Sequence, residues 1–375
     1  MDAARRAPGN AAKTTGHRRR TSRRSENADG SNGQFALECL ATILYIRRMD
    51  DVCLFAHFDR DDEVDEYVFW YLDKIKELNF AIVFISTARL AAADVERLRR
   101  ICRDVILREN SGLDFGSWSV GFAKYGSAIG GRLLLANDSV YGPIGSLGSA
   151  LERMTREPAD FYGLVESIEI TPHLQSWFLL FEQRVIRNPA FTAVLSQPFS
   201  AMTKRQIISS GEVGLSRRLV DAGFRYRALY EIERAGLAAR CIDASPMLFL
   251  WHELLCDAGV PFVKVDLLRD NPLGIFEPVT ILQAVEQIDP SFSGLMKSHL
   301  ARMNAGRSPG QAYQNGFWRS IRRKRSALLR EGYRLHREKR RAAEVWNVVK
   351  LGPFVAVLRA LQVFRMLRYT GSDGA

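Results

Sequence analysis

Residues 137–139, Asn137-Asp138-Ser139, follow the apolar run Leu133 to Ala136 and precede a Gly142-Pro143 break. An apolar run without alternation reads as a parallel strand buried on both faces. Open α/β sheets bind ligands in the crevice outside the carboxyl ends of such strands. A carboxylate there, with amide and hydroxyl neighbours, suits Mg²⁺ or Mn²⁺ and a diphosphate, because hard cations take oxygen ligands. The same residues also make an ordinary strand-to-loop turn that satisfies its own backbone. The residues alone leave both readings open.

Four other clusters carry comparable chemistry. FAHFD (55–59) sets His57 and Asp59 after the first strand, where a base or ribose lies in a nucleotide-binding sheet, or where a polar loop closes a core strand. RENSGLDFGSW (108–118) gathers Glu109, Asn110 and Asp114 among glycines that let a ligand approach the backbone. A tight turn explains those glycines equally well, the polar groups less easily. Residues 161–177 offer Glu166, His173, Gln175 and Trp177, the mix of aromatic and hydrogen-bonding groups that a sugar pocket needs, or ordinary structural residues. Glu212 precedes an amphipathic helix, as a general base at a pocket rim or as a carboxylate favoured by the helix N-terminus. Lys264 and Arg269 flank the approach to Asn271-Pro272, as cations for a diphosphate or as a solvated face.

The elements that must position these groups follow a βα alternation. Strands are expected at 52–58, 80–86, 104–107, 133–136, 161–165, 226–230 and 261–265. Helices are expected at 35–46, 65–78, 92–101, within 112–125, and at 146–155, 188–195, 214–222 and 247–258. Residues 175–186 read as a strand or a strand–helix junction. Helical patterns between short apolar runs imply a doubly wound α/β domain with a mostly parallel sheet.

The chain of 375 residues is 47% hydrophobic, enough for a sizeable core. Its five cysteines, Cys39, Cys53, Cys102, Cys241 and Cys256, form no CxxC pair, which disfavours a metal framework or a disulfide scaffold and fits a reducing, cytoplasmic setting. The net charge of +11 is unevenly spread: residues 1–33 hold 8 Lys and Arg against 3 acids, and residues 318–375 hold 15 against 4. What remains has 30 basic and 35 acidic residues, a mildly acidic globule between two basic ends. That argues against nucleic acid as a partner of the core and for an anionic surface near the ends. Neither a signal-peptide core nor a run of 18 uncharged apolar residues is visible, so no transmembrane helix is expected.

Taken in order, RENSGLDFGSW, LLLANDSVYGPIGSL, FYGLVES, HLQSWFLLF, GEVGLS and PFVKVDLLRDNPLGI resemble the rhamnan synthesis protein F family, over about Asp51 to Ile275. The resemblance implies a glycosyltransferase of polysaccharide assembly with a GT-A-like, Rossmann-type sheet that binds a nucleotide sugar. It implies that Asn137-Asp138-Ser139 stands where the family layout has its metal- and diphosphate-binding turn, with Asp138 as the single carboxylate. It further implies Glu212 as the base of an inverting transfer, though Val213 follows where related enzymes have an acid. His57, Asp59 and Asp114 match positions near the nucleoside. The implied donor is a deoxyhexose nucleotide such as dTDP-L-rhamnose, and the acceptor a cell-surface polysaccharide or lipid-linked glycan.

Three regions are expected: a disordered basic tail (1–33), a catalytic domain (34–316) and a basic amphipathic helical extension (317–375). Residues 319–341 hold eleven Lys and Arg against two Glu. Beyond them Val357, Ala360, Val363, Phe364 and Leu367 fall on one helical face, and Arg359, Gln362, Arg365 and Arg368 on the other. Such a helix suits docking on anionic lipid at the inner face of the cell membrane, or docking on protein. Two rival functions remain: a non-catalytic membrane-peripheral scaffold with a degenerate site, and a dinucleotide enzyme, which the lack of GxGxxG after the first strand disfavours.

Overall fold

Every residue of Val52–His57 is buried, and the segment forms β1, an inner strand of the main sheet. The computed structural model describes residues 50–235, 245–272 and 276–304. The expected 35–46 helix, the N-terminal tail and the C-terminal extension lie outside them.

Parallel to β1 on one side runs β2 (Ala81–Ser86), itself paired with β3 (Asp104–Leu107); on the other side runs β4 (Leu133–Asn137). A short β5 (Val140–Tyr141) follows β4. The sheet continues through β8 (Phe178–Phe181) to β6 (Phe161–Ser167), with β7 (His173–Leu174) and β9 (Tyr226–Tyr230) both paired to β6. Helices fill the crossovers: α1 (Glu66–Glu77), α2 (Ala92–Ile101), α3 (Leu113–Tyr125), α4 (Leu147–Met154), α5 (Pro189–Leu195) and α6 (Val213–Asp221). After β10 (Val263–Lys264) come α7 (Val265–Arg269), α8 (Pro278–Ile288) and α9 (Pro290–Asn304). The outcome is a mixed α/β fold with a mostly parallel central sheet flanked by helices, the class expected from the alternation.

Local chemistry sets the boundaries. Ser146 begins α4 by accepting the Ser149 amide on its side chain, and Asn188 does the same for Ala190 before Pro189 opens α5. On α1 the buried residues Tyr67, Val68, Tyr71, Leu72 and Ile75 share one face. Trp118 of α3 is fully buried and its indole donates to the Ala136 carbonyl, which fixes α3 against β4.

One open expectation is decided and two change. The stretch 175–186 resolves into β8, antiparallel to both β4 and β6, followed by one turn of helix at Gln183–Ile186. The strand expected at 261–265 is only two residues long and pairs with β5 in a separate ribbon. The 247–258 helix is broken: Pro246–Phe249 stops at Leu250, whose backbone leaves helical geometry, and Glu253–Asp257 forms a wide turn in which the Ala258 amide reaches back to Glu253. Leu250, Trp251, Leu254 and Leu255 are all buried, so the segment packs more than one helical face.

Candidate functional site

Register brings the first two clusters together. Because Ala56 of β1 pairs with Asn137 of β4, the FAHFD loop and the Asn137-Asp138-Ser139 turn leave the sheet side by side. The Phe58 amide donates to Asp138 Oδ2 at 2.9 Å, and the Tyr67 hydroxyl donates to the Asp138 carbonyl at 3.0 Å. A cleft of about 770 Å³ opens over these strand ends.

Asp114 enters from the first turn of α3, which starts at Gly112 in the left-handed conformation (φ 73°), with a Phe199 backbone atom 3.0 Å from where a Cβ would stand. Asn137 Nδ2 donates to Asp114 Oδ2 at 2.8 Å, while Asn137 Oδ1 accepts the Ser139 hydroxyl at 2.7 Å. The Val263–Lys264 ribbon then carries Lys264 to the same turn, where its ammonium donates to Ser139 Oγ at 3.2 Å. Among the described residues no carboxylate lies within ion-pair distance of Lys264, so its charge faces the cleft it lines.

Burial pushes the Asp114 carboxyl up to about 6, against the pull of Lys264 and of the Asn137 hydrogen bond. Asp138 is also held well above the usual carboxylate range, by burial first and then by Asp114 and Asp59, although the Phe58 amide opposes this. His57 packs beneath with Nδ1 2.9 Å from Ser86 Oγ. Burial lowers it to about 4, so its Nε2, 3.8 Å from Asp138 Oδ2, belongs to a neutral ring and not to an ion pair.

Glu212 arrives from the opposite wall on a wide turn, Ile208–Glu212, that leads into α6. A Cβ on Gly211 would stand 2.9 Å from the Phe115 ring, so glycine is what lets this turn lie against α3 beside Asp114. Glu212 Oε2 accepts from Ser176 Oγ at 2.9 Å, and Oε1 stands 3.5 Å from His173 Nε2. Burial would raise this carboxyl, but His173, Lys264 and Ser176 outweigh it and hold it below its ordinary value. Nearby, Gln175 donates to Ser245 Oγ at 2.6 Å and accepts from the Trp177 indole at 3.2 Å.

Of the residues singled out by sequence, His57, Asp59, Asn110, Asp114, Asn137, Asp138, Ser139, Gln175, Trp177, Glu212, Lys264 and Arg269 line one cleft. Glu166 does not: its oxygens accept from the Tyr226 hydroxyl at 2.5 Å and the Ile232 amide at 3.1 Å, tying β6 to β9 and the turn after it. His173 stands behind Glu212, outside the lining. Arg269 reaches the cleft edge with its guanidinium on Asp266 and Asp270.

Sequence reasoning missed a second group at the cleft edge. Asp59, Asp65 and His299 bring three ligand-type atoms within 4.8 Å of one another, a set able to hold a metal. Arg302 of α9 already engages it, donating to Asp59 at 2.7 Å and to Asp65, with Asp61 at 2.9 Å and Glu63 at 3.3 Å. Burial works against the Asp59 charge, but the Arg302 hydrogen bonds hold its carboxyl below the usual value. Nothing in the sequence joins residues 59 and 302. Ser176, Ser245 and Lys204 also line the cleft; of these Ser176, between two residues already singled out, was the most findable.

The model of the family described as rhamnan synthesis protein F matches residues 82–310. Asp114, Asp138, Glu212 and Lys264 fall inside that stretch, while His57 and Asp59 precede it. A virulence protein, VirA, of Vibrio anguillarum is 25% identical over 275 residues, covering 63% of this chain and 87% of its own. An uncharacterized protein, y4gN, of Sinorhizobium fredii is 28% identical over 174 residues, 45% of either chain.

Proposed function

This chain belongs to the rhamnan synthesis protein F family, and on that premise we propose that its cleft transfers a sugar from a nucleotide-sugar donor to a glycan during polysaccharide synthesis. The observation that carries the reading is the convergence of Asp114, Asn137, Asp138, Glu212 and Lys264 on one cleft at the carboxyl ends of parallel strands.

The donor's diphosphate lies along the Asn137-Asp138-Ser139 turn, with Lys264 placed to meet the negative charge it gains on leaving. The acceptor oxygen attacks the anomeric carbon, the bond from that carbon to the diphosphate oxygen breaks with its electron pair, and the hydroxyl proton passes to Glu212. One displacement of this kind inverts the anomeric centre and needs no covalent enzyme intermediate. A cation also fits. Asp138 and Asp114 are neighbouring half-buried carboxyls whose ionised forms are disfavoured, chiefly by loss of water, and an oxygen-seeking divalent ion would compensate that loss. Asp138 would hold Mg²⁺ or Mn²⁺, which when bound offsets diphosphate charge. The side of the cleft lined by Gln175, Ser176 and Trp177 suits the acceptor sugar, and the FAHFD side the nucleoside.

Incubating the full chain with a panel of nucleotide sugars and following nucleoside diphosphate release tests this. Turnover is expected with few donors, a deoxyhexose nucleotide such as dTDP-L-rhamnose among them. Asp138→Ala is expected to abolish it with the melting temperature little changed. Glu212→Gln is expected to lower kcat by roughly 10²–10⁴-fold with donor affinity intact. Absence of both transfer and donor hydrolysis across the panel would favour the non-catalytic scaffold.

A further inference from the structure

His173 has a task that its expected place in an acceptor pocket would not predict. Its Nδ1 is 2.7 Å from the Thr171 carbonyl oxygen, which can only accept, so Nδ1 carries a proton. Its Nε2 faces Glu212 Oε1 at 3.5 Å, and a carboxylate oxygen also only accepts. A neutral imidazole has one N–H. With that N–H spent on Thr171, a neutral ring would turn a lone pair toward the carboxylate. Only the imidazolium satisfies both neighbours.

The remaining groups around this pair agree. Glu212 also faces Ser176, Lys264 of β10 and, as a like charge, Asp114 of α3, while His173 has Glu169 near it as a second acid. With His173 of β7 on one oxygen and Ser176, from the segment that joins β7 to β8, on the other, the carboxylate is held by two donors. His173 is 3% exposed in its side chain, Glu212 24%, so the imidazole stands behind the carboxylate and not in the substrate's path.

We propose that His173 is the positioning residue of Glu212: an imidazolium behind the cleft wall that orients the carboxylate and keeps it ionised to accept the acceptor's proton. The proposal rests on the glycosyl-transfer reading for its purpose, but not for its structure. As Glu212 takes the proton, the pair passes from neutral to positive while the departing diphosphate becomes more negative, so the charges that develop across the cleft oppose one another. The pairing is reciprocal: burial disfavours the His173 charge, and Glu212 together with the Thr171 carbonyl more than reverses that.

The first test needs no substrate. The full chain, labelled with ¹⁵N-histidine, is titrated from pH 5 to 9, and the His173 signals among the six histidines are assigned by their loss in His173→Gln. Both nitrogens of His173 are expected to be protonated at pH 7, with a midpoint above the ordinary histidine value of about 6.5. In Glu212→Gln that midpoint should fall by about one unit or more. A neutral His173 at pH 7, or a midpoint unmoved in Glu212→Gln, overturns the proposal whether or not the protein transfers sugar. With an active donor in hand, His173→Gln should lose kcat while donor KM stays, the acid limb of the kcat profile should move to higher pH, and His173→Lys should recover part of the loss. A change confined to donor KM, or an unmoved acid limb, would count against it; an inactive wild type would overturn only the transfer reading.

Discussion

Asp114 carries the most direct pH signature at the scale of single residues. It is half-buried, and loss of water pushes its carboxyl up to about 6 in the folded protein against about 4 in an unfolded chain. Below pH 4 the group is protonated in both states and contributes nothing to pH dependence. Between about 4 and 6 the unfolded chain releases the proton first, so stability falls as pH rises, and above 6 the loss is complete. Asp114→Asn keeps an acceptor for Asn137 and removes the titration. The gain in melting temperature of Asp114→Asn over wild type should therefore grow from pH 4 to above 6 and then level off. A gain independent of pH would mean that Asp114 is not a desolvated carboxylate of this kind. Glu212 behaves oppositely, because its pairing lowers its value, and its contribution is lost only as pH falls through that lowered value.

Two elements hold the walls of the cleft in place. The wide turn Ile208–Glu212 and α3 approach so closely at Gly211 that a methyl group would meet the Phe115 ring at 2.9 Å. Gly211→Ala should cost roughly 1–3 kcal/mol through overpacking. It should also cut turnover more than donor binding, since both Glu212 and Asp114 would shift; unchanged stability would show that the turn yields freely. At the other edge, α9 is fastened to the β1–α1 loop through Arg302 and to β5 through His299, whose Nδ1 lies 2.5 Å from the Tyr141 hydroxyl. Removing one member of a partly buried ion pair leaves its partners uncompensated, at about 1–3 kcal/mol once solvent screening is counted. Arg302→Met should lower the melting temperature by a corresponding amount. Mn²⁺ should then restore part of it through Asp59, Asp65 and His299. If Mn²⁺ stabilises wild type as much as the variant, the guanidinium does not compete for that group.

For the whole molecule, the uneven charge is the guide. A mildly acidic globule bears the cleft, and the basic residues concentrate toward both ends of the chain. Among the described residues no helix is long and apolar enough to cross a membrane. The basic amphipathic stretch beyond residue 316 is the proposed contact with anionic lipid, where a lipid-linked acceptor would be met. A chain ending at Gly316 should turn over soluble acceptor analogues but lose binding to anionic vesicles. Binding of the full chain should weaken with salt, since exposed charges are screened within about 10 Å at 0.1 M. Equal vesicle binding by both chains would remove the extension from this role.

The sequence by itself determined the α/β class, the parallel strands and most of the cleft. Unalternating apolar runs such as Leu133 to Ala136 report two-sided burial, and strand ends followed by Asn, Asp or Gly report where a ligand can reach the backbone. These are local signals, readable in a window of ten residues, and Asp138, Asp114 and Lys264 emerge from them. The tertiary structure decided what depends on contact between distant segments. The antiparallel insertion of β8 between β4 and β6 is a matter of pairing, to which periodicity is blind. Glu166 and His173 lie seven residues apart and read alike. One is consumed by Tyr226 and Ile232, and the other backs Glu212. Arg302 finds Asp59 across 243 positions. A side chain's type states what it can bind, but only the fold states which partner reaches it first.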